Sequence, residues 1–325
     1  MTKLLKKLAL FLGTVAVAAW LLDHAVTEGL ARTGHGDWGI WNPIFAGKVK
    51  ADILLSGNSR TVEHLDPEVL DAKLGTRSWN LGMSGYQFET QYHAYKIYRL
   101  YNPPPRLIVQ NIDEWEFSHS SNPTDKVQFF SRIRDPRLRA YLAAAGFDKK
   151  KLYLPFVRYL NNPRHIAGGL MEFFRLRHFA AERVRGYAPV DASWDGTNLL
   201  NFIRASKGRL EPAADPHALA MFDEFLAGCK SDGVYVVLVA SPFYREAAAL
   251  EPDRPAFMAT LRRMGEKYGF RMLDYGADPM ADDTDNFYGA MHLNRKGSLR
   301  FTEKLAGDIK ELGLLEKAAI APSRP

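Results

Sequence analysis

Two polar residues in distant parts of the chain have the chemistry that acyl transfer requires. Ser59 follows the apolar run in "DILLSGNSRT", which would present its hydroxyl as a nucleophile at the end of a strand. His292, in "MHLNRKG" at the start of the last predicted helix, would take the proton of that hydroxyl. We therefore predict a catalytic pair of Ser59 and His292, provided that the fold brings them together.

Two further segments would supply donors for the oxyanion that forms during acyl transfer. "NLGMSG" ends at Gly85, whose backbone N–H can approach a substrate closely because glycine has no side chain. "VQNID" places Asn111 at the end of another predicted strand. We predict an oxyanion hole made of the N–H groups of Ser59 and Gly85 and the side chain of Asn111.

Each of these residues also has an ordinary structural interpretation. Ser59 would cap a helix, and Gly85 would be a turn residue. Asn111 would hydrogen-bond a loop, and His292 would lie in the first turn of a helix. Their order, on successive strand ends, favours a common site.

Short apolar runs alternate with helical patterns along most of the chain. Five runs read as strands, which are "ADILLSG", "SWNLGM", "RLIVQNI", "VYVVLVASP" and "FRMLDYG". Their hydrophobicity is continuous rather than alternating, which is typical of a parallel sheet covered on both faces. We expect an α/β fold in which functional groups gather at the carboxyl ends of the strands.

The same segments resemble the SGNH (GDSL-like) hydrolase superfamily. "LLSGNSRT" is similar to its first block, with Asn58 where an aspartate is common and Ser59 as nucleophile. "NLGMSGYQ" and "VQNID" are similar to the second and third blocks, which implies Gly85 and Asn111 as oxyanion donors. "FYGAMHLNRKG" is similar to the fifth block, which implies His292 as the base.

The resemblance covers most of residues 50–310 and implies a three-layer α/β/α sandwich with a parallel, flavodoxin-like sheet. It also implies ester chemistry with no metal and no cofactor. The third block departs from the family at Val109, where glycine is usual, and at Ile112, where aspartate is usual. Thr61 replaces the second glycine of the elbow G-x-S-x-G, which argues against an ordinary α/β-hydrolase.

The acid member of the triad is missing from its usual place. The family has an aspartate three residues before the histidine, and this chain has Gly289 there. Asp285, or less favourably Asp283, would supply the carboxylate in one interpretation. In a second, Ser59 and His292 act as a dyad in which a backbone carbonyl orients the ring. In a third, the protein is a degenerate binder, since losing the acid costs roughly four orders of magnitude when the histidine loses its orientation.

The N-terminus carries a targeting signal. Three lysines precede the uncharged stretch "LALFLGTVAVAAWLL", and a fifteen-residue helix rises about 22 Å, less than the roughly 30 Å hydrocarbon core of a bilayer. Either it is an uncleaved anchor that gains length from neighbouring leucines and snorkelling lysines, or a signal peptide cleaved at the A-x-A sequence of residues 16–18. We favour the anchor, because "DHAVTEGLAR" continues the helix. Both interpretations place the domain in the periplasm or outside the cell, and a cytosolic protein is the remaining alternative.

The middle of the chain, about residues 114–212, is helical or irregular and rich in aromatic residues and arginine. Between Arg132 and Gly186 there are thirteen Lys or Arg residues and four Asp or Glu residues. This excess indicates either a solvated basic surface or a surface that faces anionic lipid headgroups or an acidic glycan. A secretory N-terminus argues against nucleic acid as the partner.

Other functional classes have little support. The single cysteine, Cys229, cannot form an intramolecular disulfide and is expected to be a buried apolar residue. No HExxH zinc motif occurs. The acidic run "ADDTD" lacks the glycine and distal glutamate of an EF-hand, so we interpret it as an exposed loop.

An anchored SGNH-like domain with a basic insertion resembles the extracytoplasmic partners of membrane-bound O-acyltransferases. That resemblance implies a serine-dependent esterase or O-acyltransferase that acts on O-acyl groups, commonly acetyl, of exported or cell-envelope polysaccharide. The alternative is a non-catalytic protein that binds glycan or docks a membrane acyltransferase. The basic, aromatic insertion raises a third possibility, a lipid-directed esterase.

The predicted domain organisation has four parts. They are an anchor or signal segment at 1–30, a linker at 31–50, an SGNH-like domain at 51–315 with a mostly helical insertion at about 114–212, and a tail at 316–325.

Overall fold

The protein is described by a computed structural model, whose described residues are 2–118, 127–205, 207–208 and 213–319. The chain divides into two compact units. The helical unit consists of Met1–Lys48 and Thr124–Glu182, and the sheet unit consists of Val49–Pro123 and Arg183–Pro325.

The α-helices of the described residues are, in chain order, α1 (Thr2–Leu30), α2 (Trp38–Phe45), α3 (Ser59–His64), α4 (Pro67–Leu74), α5 (Phe88–Tyr101), α6 (Pro136–Ala144), α7 (Lys149–Tyr153), α8 (Pro163–Phe173), α9 (Gly196–Ala205), α10 (Pro216–Ser231), α11 (Arg245–Ala248), α12 (Arg254–Lys267), α13 (Arg295–Glu311) and α14 (Leu314–Ala319). The strands are β1 (Ile53–Ser56), β2 (Ser78–Asn80), β3 (Leu107–Asn111), β4 (Tyr235–Ala240), β5 (Arg271–Asp274), β6 (Phe287–Gly289) and β7 (His292–Leu293). Short 3-10 helices cover Glu114–Phe117, Val127–Arg132, Val157–Tyr159, Pro279–Asp282 and Thr284–Asn286.

The sheet unit is built on a five-stranded sheet with the order β2-β1-β3-β4-β5. All of its pairings are parallel, and Val109 of β3 lies between Leu55 of β1 and Val237 of β4. This confirms the α/β class and the parallel sheet predicted from the apolar runs. The strand order reverses between β1 and β3, and in doubly wound sheets the carboxyl edge at that point is where ligands bind.

A small antiparallel pair, β6 and β7, carries the predicted base. Gly289 of β6 lies opposite His292 of β7. His292 was predicted at the start of the last helix, but α13 begins only at Arg295. The physical reason is its cap: the side chain of Asn294 accepts the backbone N–H of Gly297 at 2.9 Å and fixes the helix start there.

The helical unit contains α1, α2 and α6 to α8. Among the described residues, α1 is the helix long and apolar enough to cross a membrane. The predicted linker at 31–50 is not an extended connection, because it contains α2, with Trp38 and Trp41 buried. The edge-to-face contact of Trp41 with Phe129, with ring centroids 4.8 Å apart, joins α2 to the middle of the chain.

The structure does not follow the boundaries that were predicted for the insertion and the tail. Within the described part of 114–212, residues 127–182 cluster with the N-terminus, whereas residues 114–118 and those from 183 onward belong to the sheet unit. The rest of that prediction, residues 119–126, 206 and 209–212, lies outside the described residues. The predicted tail at 316–325 begins inside α14, which packs on β3 and β4 and buries Leu314. Residues 320–325 of the tail also lie outside the described residues.

Candidate active site

Ser59 stands at a sharp strand-to-helix turn at the carboxyl end of β1. The turn needs a glycine at position 57, where φ is +145°. A Cβ atom added to Gly57 would collide with the Thr61 side chain and come within 3.0 Å of Asn111. Asn58 caps α3, because its side-chain oxygen accepts the backbone N–H of Arg60 at 2.9 Å. The capping role proposed for Ser59 is therefore filled by Asn58, and the Ser59 hydroxyl is left to face the adjoining cavity.

The structure brings Ser59 and His292 together across 233 positions of sequence. The Oγ atom of Ser59 lies 2.9 Å from Nε2 of His292. A nucleophile and a base need this separation, between about 2.6 and 3.2 Å, for proton transfer. The pair can therefore generate an activated serine.

Two aromatic neighbours fix the plane and the backbone of His292. The Tyr288 ring stacks on the imidazole with centroids 5.7 Å apart, and its hydroxyl donates to Oε2 of Glu63 at 2.8 Å. His64 meets the imidazole edge-on at 6.0 Å. Its Nε2 accepts the backbone N–H of Leu293 at 2.9 Å, which fixes the chain next to the base.

His64 is neutral in this setting. It has no exposed surface, and burial lowers its pKa well below the ordinary value, with the charges of His292 and Arg60 acting in the same direction. Because Nε2 accepts the Leu293 N–H, the ring proton must be on Nδ1, which has no hydrogen-bond partner.

The predicted acids do not reach the base. The carboxylate of Asp285 pairs with Lys296 at 3.1 Å and is mostly exposed. Asp283 caps the following turn through the N–H of Asp285. In the described parts of the chain, no carboxylate lies within hydrogen-bonding distance of the His292 ring, so the structure does not supply the triad acid from either aspartate.

The position of the missing acid is bordered by an amide. A Cβ atom added at Gly289 would lie 3.1 to 3.3 Å from the amide group of Asn198 in α9. Gly289 faces His292 across the β6–β7 pair. An aspartate at this position would therefore have to displace the Asn198 side chain.

A cavity of about 210 Å³ opens beside the Ser59–His292 pair. It is lined by residues 58–60, 85–87 and 291–292, together with Asp113, Trp115 and Glu116. Gly85 lies in this lining with φ +77°, a conformation that favours glycine. Two of the three predicted oxyanion donors, Ser59 and Gly85, thus face the cavity.

Asn111, the third predicted donor, is not part of the cavity wall. It is buried at the end of β3, and its Oδ1 accepts from the hydroxyl of Ser241 at 2.9 Å and from the Ser241 N–H at 3.3 Å. Its Nδ2 has no partner. The geometry assigns Asn111 to the support of the turn beneath Gly57 rather than to direct contact with substrate.

Burial determines the charge state of the base. The pKa of His292 is lowered to about 4, chiefly by burial and next by the charge of Arg60, with Asp113 acting in the opposite direction. The imidazole is therefore neutral at neutral pH and available to accept a proton. A carboxylate partner would have raised this pKa instead.

Sequence reasoning missed the acidic wall of the cavity. Glu116 is 1 % exposed, and burial, followed by the charge of Asp113, raises its pKa well above the ordinary value. Its Oε1 accepts the N–H of Asn58 at 3.1 Å, whereas Oε2 is itself buried beneath the cavity wall. The carboxyl therefore supports the turn that carries Ser59.

Trp115 forms the exposed rim beside Glu116. Its indole N–H donates to Oε1 of Glu251 at 3.2 Å, which holds the ring while 38 % of the residue stays exposed. Both residues follow the third strand directly, so the rule that function gathers at strand ends would have found them. No sequence signal links His64 or Tyr288 to His292.

Comparisons with known proteins give no family assignment: no family model and no curated protein matches this chain. Within the described residues, no group of three or more His, Cys, Asp or Glu side chains is arranged to hold a metal ion.

Proposed function

We propose that this protein is a serine-dependent esterase or O-acyltransferase of the SGNH type that works through a Ser59–His292 dyad. The observation that carries the proposal is the 2.9 Å contact between the Ser59 hydroxyl and the His292 ring at the carboxyl edge of the sheet. The neutral state of His292 supports it, because a base must be unprotonated to act.

The chemistry proceeds in two transfers. His292 Nε2 takes the Ser59 proton as Oγ bonds to the ester carbonyl carbon, and the oxyanion accepts from the N–H groups of Ser59 and Gly85. The carbon–oxygen bond to the leaving alcohol then breaks, and His292 returns the proton to that alcohol. In the second transfer, water or a sugar hydroxyl gives its proton to His292 as its oxygen bonds to the acyl carbon; the bond from that carbon to Ser59 Oγ then breaks, and His292 returns the proton to Oγ.

Packing replaces the missing carboxylate in this mechanism. An acid normally holds the imidazole in the right tautomer and orientation. Here Tyr288 fixes the ring plane by stacking, and His64 fixes the backbone at Leu293. The dyad therefore retains the orientation but lacks the electrostatic stabilisation of the imidazolium, so we expect slower turnover than in a full triad.

The proposed family rests on sequence segments and on the strand order. The segments around Ser59, Gly85 and His292 meet at one cavity, as the resemblance requires. The order β2-β1-β3-β4-β5 is that of a flavodoxin-like sheet. Residues 236–239 of β4 are fully buried although they alternate between the two faces, which supports a three-layer α/β/α sandwich.

The substrate class follows from the cavity and from the N-terminal helix. A cavity of about 210 Å³ suits a short acyl group such as acetyl, and Trp115 offers an aromatic face to a sugar. We propose that α1 anchors the protein in a membrane, with the remaining chain in the periplasm or outside the cell. The substrate would then be an O-acylated envelope or exported polysaccharide, and a membrane-bound O-acyltransferase a fitting partner.

Gly289 favours a second candidate, a non-catalytic glycan-binding protein. A protein that no longer catalyses a reaction does not need the acid, which would explain the glycine at position 289. The cavity would then bind an acylated sugar without cleaving it, with Trp115 as the aromatic contact.

Hydrolysis of a chromogenic acetyl ester separates the two candidates. We expect the full-length protein in detergent to cleave it, and the Ser59→Ala and His292→Ala variants to fall to the background rate. Ser241→Ala is a matched control, because this buried serine contacts Asn111 but not the cavity. Equal rates for the wild type and Ser59→Ala would refute the enzyme, and retained glycan binding would then support the binder.

A further inference from the structure

The surroundings of α1 change abruptly near its centre. The side chains up to Leu22 are largely exposed, as expected for the proposed membrane-crossing part. Asp23 is only 4 % exposed and Val26 is fully buried within the helical unit. The part of α1 that packs within the helical unit therefore begins where its exposed apolar part ends, and the proposed anchor would hold this packed part at the bilayer surface.

Helix α8 runs antiparallel to α1 in this unit. The two helices meet at Gly29 and Gly169, where a Cβ on Gly29 would collide with the carbonyl oxygen of Gly169. Towards the membrane-crossing part, the ring of His24 meets the ring of Phe173 edge-on at 6.1 Å. His24 is two residues beyond Leu22, about 3 Å along the helix axis, so the C-terminal end of α8 lies at the level where α1 loses its apolar surface.

Apolar side chains are exposed at this level. Phe174 is 62 % exposed and packs edge-on against Phe173, and Leu176 is 77 % exposed. Trp20 is also exposed and stacks on His24 with ring centroids 5.9 Å apart. Single exposed apolar side chains are ordinary on a protein surface, whereas clustered ones mark a contact with a membrane or another protein.

A loop that is bonded to Asp23 adds to this surface. The carboxylate of Asp23 accepts the backbone N–H of Phe156 at 2.9 Å and pairs with Arg158 at 2.9 Å. These bonds hold the loop beside the same turn of α1. Tyr153, the last residue of α7, and Leu154, which follows it and leads into the loop, are about half exposed.

We propose that these exposed residues form a membrane-contact surface that lies in the headgroup region of the bilayer crossed by α1. The surface consists of Trp20, Tyr153, Leu154, Phe174 and Leu176. The inference rests on the proposed membrane anchor but is independent of catalysis. Tryptophan and tyrosine favour the membrane–water interface, where their apolar rings and polar groups are both satisfied.

Charge favours anionic lipid as the occupant of this surface. Arg175 and Arg177 flank Leu176, and the chain between residues 132 and 186 carries thirteen basic and four acidic side chains. Basic residues near an anionic leaflet strengthen membrane binding. An apolar patch between arginines fits a bilayer interface better than an acidic glycan, which offers nothing to bury the apolar side chains.

Site-specific fluorescence in nanodiscs tests the proposal on the full chain. The Phe174→Cys and Leu176→Cys variants would carry an environment-sensitive label in nanodiscs of phosphatidylcholine and phosphatidylglycerol, with nitroxide lipids as quenchers. Arg164→Cys, at the opposite end of α8, is the matched control, and Leu12→Cys reports on the anchor. The unmodified protein gives the background labelling, because its cysteine Cys229 is buried.

We expect loss of fluorescence and a blue shift at positions 12, 174 and 176, and neither change at position 164. Quenching at position 12 without quenching at 174 and 176 would overturn the contact surface and leave the anchor intact. Absence of quenching at position 12 would overturn both. Equal quenching at 164 and 174 would also overturn the proposal, because the contact would then not be confined to this surface.

Discussion

The ring of Tyr288 lies nearly parallel to the ring of His292, at 22° and with centroids 5.7 Å apart. The tyrosine is itself held by the hydrogen bond from its hydroxyl to Glu63. This stack fixes the plane of an imidazole that has no carboxylate partner among the described residues. The proposed catalysis therefore depends on packing at a position where serine hydrolases usually depend on charge.

Substitutions at Tyr288 separate stacking from hydrogen bonding. Tyr288→Phe keeps the ring and loses the bond to Glu63, so we expect kcat/KM to change only slightly. Tyr288→Leu removes the stack, and a misplaced base can cost about a hundredfold. Ester hydrolysis measured over a range of pH checks this, and equal losses in both variants would show that the hydroxyl, rather than the stack, is what matters.

The pH dependence of kcat/KM should report the lowered pKa of His292. The base acts only when neutral, so activity is present above its pKa and is lost as the pH falls through it. Because that pKa is about 4, we expect the acidic limb near pH 4 rather than near 6.5. An acidic limb at or above pH 6.5 would mean either that burial does not lower the pKa of His292 or that Asp113 raises this pKa enough to offset burial.

Restoring an acid at position 289 should move this limb. In Gly289→Asp, a carboxylate facing His292 favours the imidazolium and should raise the limb by roughly one to three pH units. Gly289→Asn, which must displace Asn198 in the same way but adds no charge, is the control. If the wild type shows no turnover and Gly289→Asp shows a large gain in turnover, the protein is instead an enzyme that is inactive because it lacks the triad acid.

Glu116→Gln should preserve the site and change the pH dependence of stability. The amide oxygen can still accept the N–H of Asn58, so we expect kcat/KM at neutral pH to change only a few-fold, as for a modest hydrogen-bond loss. Folding raises the pKa of Glu116 above its ordinary value of 4.5, so the folded protein keeps this proton at pH values at which the unfolded chain has lost it. The free energy of unfolding of the wild type therefore falls as the pH rises from about 4.5 to the pKa of the folded state.

The variant lacks this titration, so its melting temperature relative to the wild type should increase with pH above about 4.5. Glu303→Gln, at an exposed ion pair, is the control for a general loss of charge. A constant difference in melting temperature between Glu116→Gln and the wild type at every pH would show that folding does not raise the pKa of Glu116.

The central sheet could be predicted from sequence because its strands are short, apolar throughout and separated by helices. Each signal is local, so no knowledge of distant contacts is needed to find β1, β3 or β4. The approach of Ser59 to His292 was predicted from their places at strand ends and from the family resemblance. Their distance depends on packing and could come only from the structure.

The remaining parts depended on contacts that are distant in sequence. His64 accepts the N–H of Leu293 from 229 positions away, and Tyr288, although close to His292 in sequence, is held by Glu63 from 225 positions away. Asp285 was proposed as the acid because it lies close to His292 in sequence, yet Lys296 binds its carboxylate. Asn111 has the residue type of an oxyanion donor, but Ser241 engages its side-chain oxygen below the cavity.

Mass spectrometry of the acyl-enzyme tests the central claim most directly. The full-length protein would be mixed with an activated acetyl ester, quenched in acid and digested. We predict one acetyl group on Ser59, present in Tyr288→Phe and absent from Ser59→Ala and His292→Ala. An unmodified Ser59 in the wild type at every reaction time, with acetylation only of surface lysines, would contradict the account.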